Sequence, residues 1–168
     1  MELWDAYNEK GERVPGTLVR GEPVPKGLYH LVCCILVRHT DGSFLLMRRS
    51  PEKESYPNIW EIGAGGSALQ GETAPEAAKR ELREETGIDR GTFQPISRSW
   101  DHQEGFFYEG FLCETDYPKD QIRLQAGETC DFRWLSLPEF LEFFDSEDCL
   151  ERMRSRLAAF VDTLRPKG

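Results

Sequence analysis

The segment Gly65 to Ile88, GGSALQGETAPEAAKRELREETGI, constrains this chain more than any other. Thr73 and Glu76 form a capping box, Pro75 stands in the first turn, and Gly87 supplies the left-handed residue that stops a helix. The spacing predicts a helix from about Ala74 to Thr86. At ~100° per residue, Glu76, Lys79, Arg83 and Thr86 fall on one side as a solvated face. Ala74, Ala77, Ala78 and Leu82 fall on the other, where small side chains let a helix approach a sheet closely. Glu81, Glu84 and Glu85 share that inward half.

Carboxylates at i, i+3 and i+4 lie about 5 to 6 Å apart between Cβ atoms and repel one another. Arg80 can pair with Glu84 at i+4 and offset one charge. The remainder must protonate or find a cation, because an unpaired carboxylate near a core is costly. An all-oxygen cluster suits a hard ion such as Mg²⁺ or Mn²⁺. Magnesium takes a few carboxylates together with substrate phosphates, so a phosphate-bearing ligand is implied. Gly63, Gly65 and Gly66, just before the helix, allow backbone to approach an ion or phosphate closely.

Elsewhere the pattern is mostly of strands. Residues 1–27 read as an accessory ribbon, Leu3 to Tyr7 and Thr17 to Arg20, followed by the stiff connector PVPKG. Leu28 to Val37, LYHLVCCILV, is apolar enough for a strand covered on both faces, and Asp41-Gly42 turns it into FLLMRR as a buried hairpin. Pro51 and Pro57 bracket a loop ending at Trp60, and further strands are expected near Phe93 to Ser99, Phe106 to Cys113 and Cys130 to Leu135. Ser136 and Glu139 form a second capping box, ahead of Leu137, Phe140, Leu141 and Phe144. A last helix carries the stripe Leu150, Met153, Leu157, Phe160 and Leu164. The expectation is an α+β domain spanning 1–168: a mixed sheet over 28–136, with helices packed on it and closing the chain over 137–165.

Composition narrows the partners. With 30 acidic against 21 basic side chains the net charge is -9, which disfavours a nucleic-acid duplex or an anionic membrane surface. No apolar window reaches the ~20 residues of a membrane helix and the start lacks a signal-peptide core, so a cytoplasmic protein is expected. Cys33, Cys34, Cys113, Cys130 and Cys149 include no C-x-x-C pair and read as buried free thiols.

Residues 66–88 match the Nudix box, G-x5-E-x7-R-E-U-x-E-E-x-G-U with U a bulky aliphatic, at Gly66, Glu72, Arg80, Glu81, Leu82, Glu84, Glu85, Gly87 and Ile88. The chain therefore resembles the Nudix hydrolase superfamily. That resemblance implies an α/β/α sandwich around a mixed sheet, here with an added N-terminal β-hairpin. It also implies Mg²⁺- or Mn²⁺-dependent hydrolysis of a nucleoside diphosphate linked to another moiety. Carried over by position, Glu84 and Glu85 would be the principal metal ligands, Glu81 a direct or water-mediated one, and the carbonyl near Gly66 a further one. Arg80 would orient the glutamates, and Glu72 would brace the helix start. Family members often add a carboxylate from a later loop. Glu128 matches that place, although Glu104 or Glu109 could serve. Glu85 or Glu128 would be the base that takes a proton from the attacking water.

The early ribbon, YHLV and RRSPEKESYPNIWE look like the branch that contains isopentenyl-diphosphate isomerase and its hydrolase-like relatives. Those isomerases carry a C-G-H-P stretch with an active-site cysteine and a metal-binding histidine. Here Gly65-Gly66-Ser67-Ala68 stands in its place, so hydrolase is preferred over isomerase or over a silent nucleotide-binding module. His30 reads as a structural histidine, whereas Arg49 and Lys53 match diphosphate-holding positions and are expected substrate contacts. Trp60, Trp100, Phe106 and Tyr108 could stack on a base or simply pack, and the ribbon could serve a homodimer contact.

Overall fold

A computed structural model describes residues 1–168. Strands β1 (Leu3–Tyr7) and β2 (Arg13–Val19) form a separate antiparallel hairpin. Strands β3 (His30–His39), β4 (Phe44–Arg49), β5 (Trp60–Ile62), β6 (Ala64–Ser67), β7 (Thr92–Asp101), β8 (Phe106–Thr115) and β9 (Thr129–Leu135) form one mixed sheet. Its parallel pair is β3 with β8, in register from His30 opposite Phe106 to His39 opposite Thr115. Helix α1 (Ala74–Thr86) covers one face, and α2 (Leu137–Asp145) with α3 (Glu151–Leu164) covers the other.

Alternation along β3 explains the three layers. Leu31, Cys33, Ile35 and Val37 pack with Ala77, Ala78 and Leu82 of α1, while Leu36 packs with Phe140, Phe144 and Leu157 of the closing helices. A strand buried on both faces has to read as a nearly continuous apolar run, and LYHLVCCILV does so. This is the α/β/α sandwich expected from the sequence. No helix is long and apolar enough to cross a membrane.

The hairpin expected between β3 and β4 is mostly absent. The two strands pair only at Arg38 and Phe44, then diverge. Residues 60–67 fill the wedge: β5 pairs with β4, and β6 pairs with β3. Gly63 makes the change of partner, with φ at 61° and so little room that an added Cβ would lie 1.8 Å from the Ile35 carbonyl oxygen. The glycine-rich stretch is thus the link from β5 into β6, and β6 lies beside α1.

The N-terminal hairpin is fastened to the segment that leads into α1. Tyr7 and Tyr29 exchange backbone hydrogen bonds of 2.9 Å, the Gln70 amide donates to the Leu3 carbonyl, and the Gly71 amide donates to Asp5. Its second strand starts earlier than the Thr17 expected from patterning, because Arg13 and Val14 pair with Tyr7 and Ala6 across a register shift. Of the cysteines, Cys130 is exposed, against expectation, on a strand that pairs along one edge only.

Candidate active site

Helix α1 has the predicted limits and both predicted caps, with Gly87 left-handed at φ 81°. Glu81 lies under Gly66 of β6. A Cβ added at Gly66 would come within 2.4 Å of the Glu81 carboxyl carbon, so glycine is what leaves space for that carboxylate.

Arg80 organises the acids around it. Its Nε donates to Glu72 Oε1 at 2.6 Å and its Nη2 to Glu72 Oε2 at 2.9 Å, a two-pronged pair. Its Nη1 donates to Glu81 at 2.8 Å and to Glu84 at 3.3 Å, and Nη2 also donates to the Ser67 carbonyl at 3.0 Å. Helical spacing had assigned it Glu84 alone. Glu72 is held below the usual carboxylate range by these Arg80 bonds, and its own Oε2 accepts from the Leu69 amide.

Two details of the helix wheel are corrected. Thr86, assigned to the solvated face, is fully buried: its hydroxyl donates to the Leu82 carbonyl, and the loop after β8 crosses over it, the Arg123 amide donating to the Thr86 carbonyl. Glu84, assigned inward, has a side chain 46% exposed at the rim, compared with 13% for Glu81. Glu85 is half-buried in the cleft wall. Burial pushes its carboxyl well above the ordinary range, and the negative charges of Glu81, Glu61 and Glu128 push the same way. Glu81 is raised too, again chiefly by burial, with Arg80 opposing.

A cleft of about 440 Å³ brings the nominated residues together. Gly66, Arg80, Glu81, Glu84 and Glu85 form one wall, and Arg49 at the end of β4 faces them with Lys53 and Glu128 from the loops after β4 and before β9. Lys53 Nζ donates to Glu128 at 2.6 Å. Arg49 is partly committed elsewhere, bracing its loop through the Ser55 and Tyr56 carbonyls and meeting Glu61 at 3.3 Å. Glu104 and Glu109 do not line the cleft, and Glu109 is paired with Arg98 at 3.3 Å.

Three charged residues of the cleft carry no site signal in the sequence. Glu61 belongs to the short strand β5, and Glu2 with Arg20 comes from the hairpin, where the two pair at 3.0 Å. The alternation Trp60-Glu61-Ile62 was a usable signal for the first; the other two are tertiary contacts with no local mark. His30 lies outside the cleft. It stacks on Trp4 at 3.9 Å, its Nε2 meets the Ser67 hydroxyl at 3.3 Å, and burial lowers its pKa to about 4.

Residues 28–154 match the sequence profile of the NUDIX domain. An uncharacterized Nudix hydrolase of Listeria monocytogenes is 37% identical over 142 residues, covering 83% of this chain and 82% of that one. The chain belongs to the Nudix family. The crystal structure of a Deinococcus radiodurans protein superposes with a TM-score of 0.73 over 98% of this chain and all of that one at 24% identity, a likeness of fold. An isopentenyl-diphosphate Delta-isomerase of Klebsiella pneumoniae is 26% identical over 117 residues, covering 67% of this chain and 64% of that one, in keeping with the branch read from the sequence. Membership of this family, with hydrolases as its nearer relatives, makes the protein a hydrolase acting on diphosphate bonds.

Nudix enzymes generally use divalent metals, and the donor chemistry here fits one. The cleft is lined by six glutamates against four Lys or Arg side chains, no cation lies within pairing distance of Glu85, and every acidic donor is a hard oxygen. As the side chains stand, no three of the acids converge as a ready ligand group, since Arg80 engages Glu81 and Glu84.

Proposed function

We propose that the cleft binds a small diphosphate, a nucleoside diphosphate linked to another moiety, together with Mg²⁺ or Mn²⁺, and hydrolyses its phosphoanhydride bond. The observation that carries this reading is Glu85, a half-buried carboxylate crowded by Glu81, Glu61 and Glu128 with no cation of the chain in reach. Glu85, Glu84, Glu81 and the Gly66 carbonyl would hold the ion. When bound, it would neutralise the diphosphate and make an attacking water more acidic.

Arg80 keeps Glu81 and Glu84 oriented while Glu72 keeps Arg80 oriented, so the ligands are positioned by a pair outside the reacting groups. Lys53 and Arg49 line the opposite wall and would hold phosphate oxygens. Glu128 reaches the cleft from a different element than the ligand helix, and we assign it the proton of the attacking water, Lys53 exchanging its carboxylate for a phosphate oxygen when substrate enters. Residues 1–168 are read as one Nudix domain, with 1–27 an accessory piece whose Glu2 and Arg20 close one side of the cleft.

An isomerase reading lacks its acid. Residues 65–68 supply neither thiol nor imidazole, and Cys33 is buried against α1, its Sγ meeting the Ala74 carbonyl at 3.4 Å outside the cleft. The test is product release from a panel of nucleoside diphosphate derivatives. Turnover that requires Mg²⁺ or Mn²⁺ and falls at least ~100-fold in Glu85→Gln is expected. Turnover of isopentenyl diphosphate to its isomer, or metal-independent cleavage, would contradict the reading.

A further inference from the structure

Across β6 from the acidic cleft lies a second cavity of about 280 Å³, on the face of the sheet that α3 covers. The two share Arg49, Glu61, Gly65, Gly66 and Ser67, so they are neighbouring compartments divided by one short strand. The far wall holds Cys34 of β3, Phe106 and Tyr108 of β8, and Arg152 and Arg156 of α3.

Arg156 is exceptional among the cations of the chain. Every other half-buried lysine or arginine meets a carboxylate or carbonyl oxygen. Arg156 meets none: its Cζ lies 3.4 Å from the centre of the Tyr108 ring, and its Nη1 lies 4.0 Å from Cys34 Sγ. Neither neighbour is an anion, because burial pushes the Cys34 thiol and the Tyr108 phenol up and leaves both neutral. A half-buried guanidinium normally has its donors satisfied. Stacking on tyrosine fixes its plane and leaves its N–H edge, the fork that matches two oxygens of a carboxylate or phosphate. Arg152 stands on the same helix one turn earlier, 3.6 Å from Glu61. With Arg49, the lining carries three positive side chains against one glutamate, a local excess opposite in sign to the net charge of -9. The acidic cleft next door has the reverse balance.

We propose that Arg156, with Arg152 beside it, binds an oxyanion, a carboxylate or a phosphate monoester, on the moiety that the substrate carries beyond its diphosphate. The substrate class is then a diphosphate with a second anionic group, reaching from the acidic cleft past Gly65 and Gly66 into the arginine cavity. This rests on the acidic cleft being the diphosphate site. A neutral base stacked on Phe106 is the competing occupant, and it would leave the guanidinium edge without a charged partner.

Two non-hydrolysable probes decide between them: methylene-bisphosphonate analogues of a nucleoside diphosphate bearing a short alkyl chain, one ending in a carboxylate and the other in its neutral amide. Calorimetric titration in Mg²⁺ should give the carboxylate probe roughly tenfold tighter binding to the wild-type protein, the size of one charge-assisted pair. Arg156→Gln should abolish that preference and leave the amide probe within about twofold of wild type. Should Arg156→Gln fail to fold, Arg156→Lys decides, because it keeps the charge without the fork and should lose most of the preference. Equal affinities in the wild-type protein, or a preference that survives in the folded variant, would overturn the proposal. Hydrolysis of the matching diphosphates is measured separately. Carboxylate preference without turnover would sink the hydrolase reading alone, and turnover without preference would sink the arginine site alone.

Discussion

Arg80 and Glu72 are joined by two parallel hydrogen bonds, of 2.6 and 2.9 Å, and both side chains are at least three-quarters buried. An ammonium cannot reproduce that fork. Arg80→Lys should cost about 1 to 3 kcal/mol of stability by denaturant titration, because Glu72 loses one prong and Glu81 loses its donor. Turnover should fall about 10- to 100-fold with it. An unchanged turnover would show that the orientation of Glu81 and Glu84 does not matter.

Replacing Glu85 with glutamine should separate activity from stability. The carboxylate is half-buried among other acids with no cation beside it, so its charge works against the fold. In chelator-treated protein Glu85→Gln should therefore melt at a higher temperature than wild type, although it loses turnover. A lower melting temperature would mean that the charge is balanced in the folded chain after all.

Two neighbouring glycines should respond differently. At Gly66 an added methyl meets the flexible end of Glu81, whereas at Gly63 it meets the Ile35 carbonyl in the backbone, at a residue with φ 61°. Gly66→Ala should fold, with a melting temperature near wild type, and lose activity as Glu81 is displaced. Gly63→Ala should give little folded protein, because the strand could not change partners there. Circular dichroism melts beside an activity assay check both, and an active Gly66→Ala would contradict the role given to Glu81.

Histidine 30 predicts a pH dependence. Its pKa is lowered from 6.5 to about 4 by burial, so the unfolded chain binds the proton more readily than the folded one. Stability from this residue is full above pH 6.5 and is lost as pH falls toward 4, up to about 3 kcal/mol in all. Glu85, raised in the folded state, contributes with the opposite sign over part of this range, so the readout is the difference between wild type and His30→Gln. Denaturant titrations at pH 7 and pH 5 should show wild type losing more than the variant. Parallel losses would mean that His30 carries its proton in the fold.

What could be read from the sequence was what is local. Thr73, Glu76, Pro75 and Gly87 act within a turn of the helix they bound, and the predicted limits of α1 match the structure. The apolar run before Val37 showed a doubly covered strand, because alternation disappears when both faces are buried. The wedge of β5 and β6 was hidden, since strands of three and four residues have too few side chains to show a period and Gly63 interrupts even those. Thr86 and Glu84 lie near the edges of the helix arc, where a loop crossing over the helix decides burial. Arg80 reached Glu72 instead of Glu84 alone because the pair spans the cap and depends on where the preceding loop lies. Arg156, next to Leu157 in the apolar stripe of α3, gave no sign that Tyr108, from a distant strand, would lie beneath it.

Glu81, Glu84 and Glu85 are proposed as the seat of a divalent ion that grips a diphosphate. Titrating Mn²⁺ into chelator-treated protein and following free Mn²⁺ by electron paramagnetic resonance tests it most directly. Binding should saturate, weaken about 10- to 100-fold in Glu85→Gln and tighten when a diphosphate analogue is added. Equal Mn²⁺ affinity in wild type and Glu85→Gln, with or without the analogue, would contradict it.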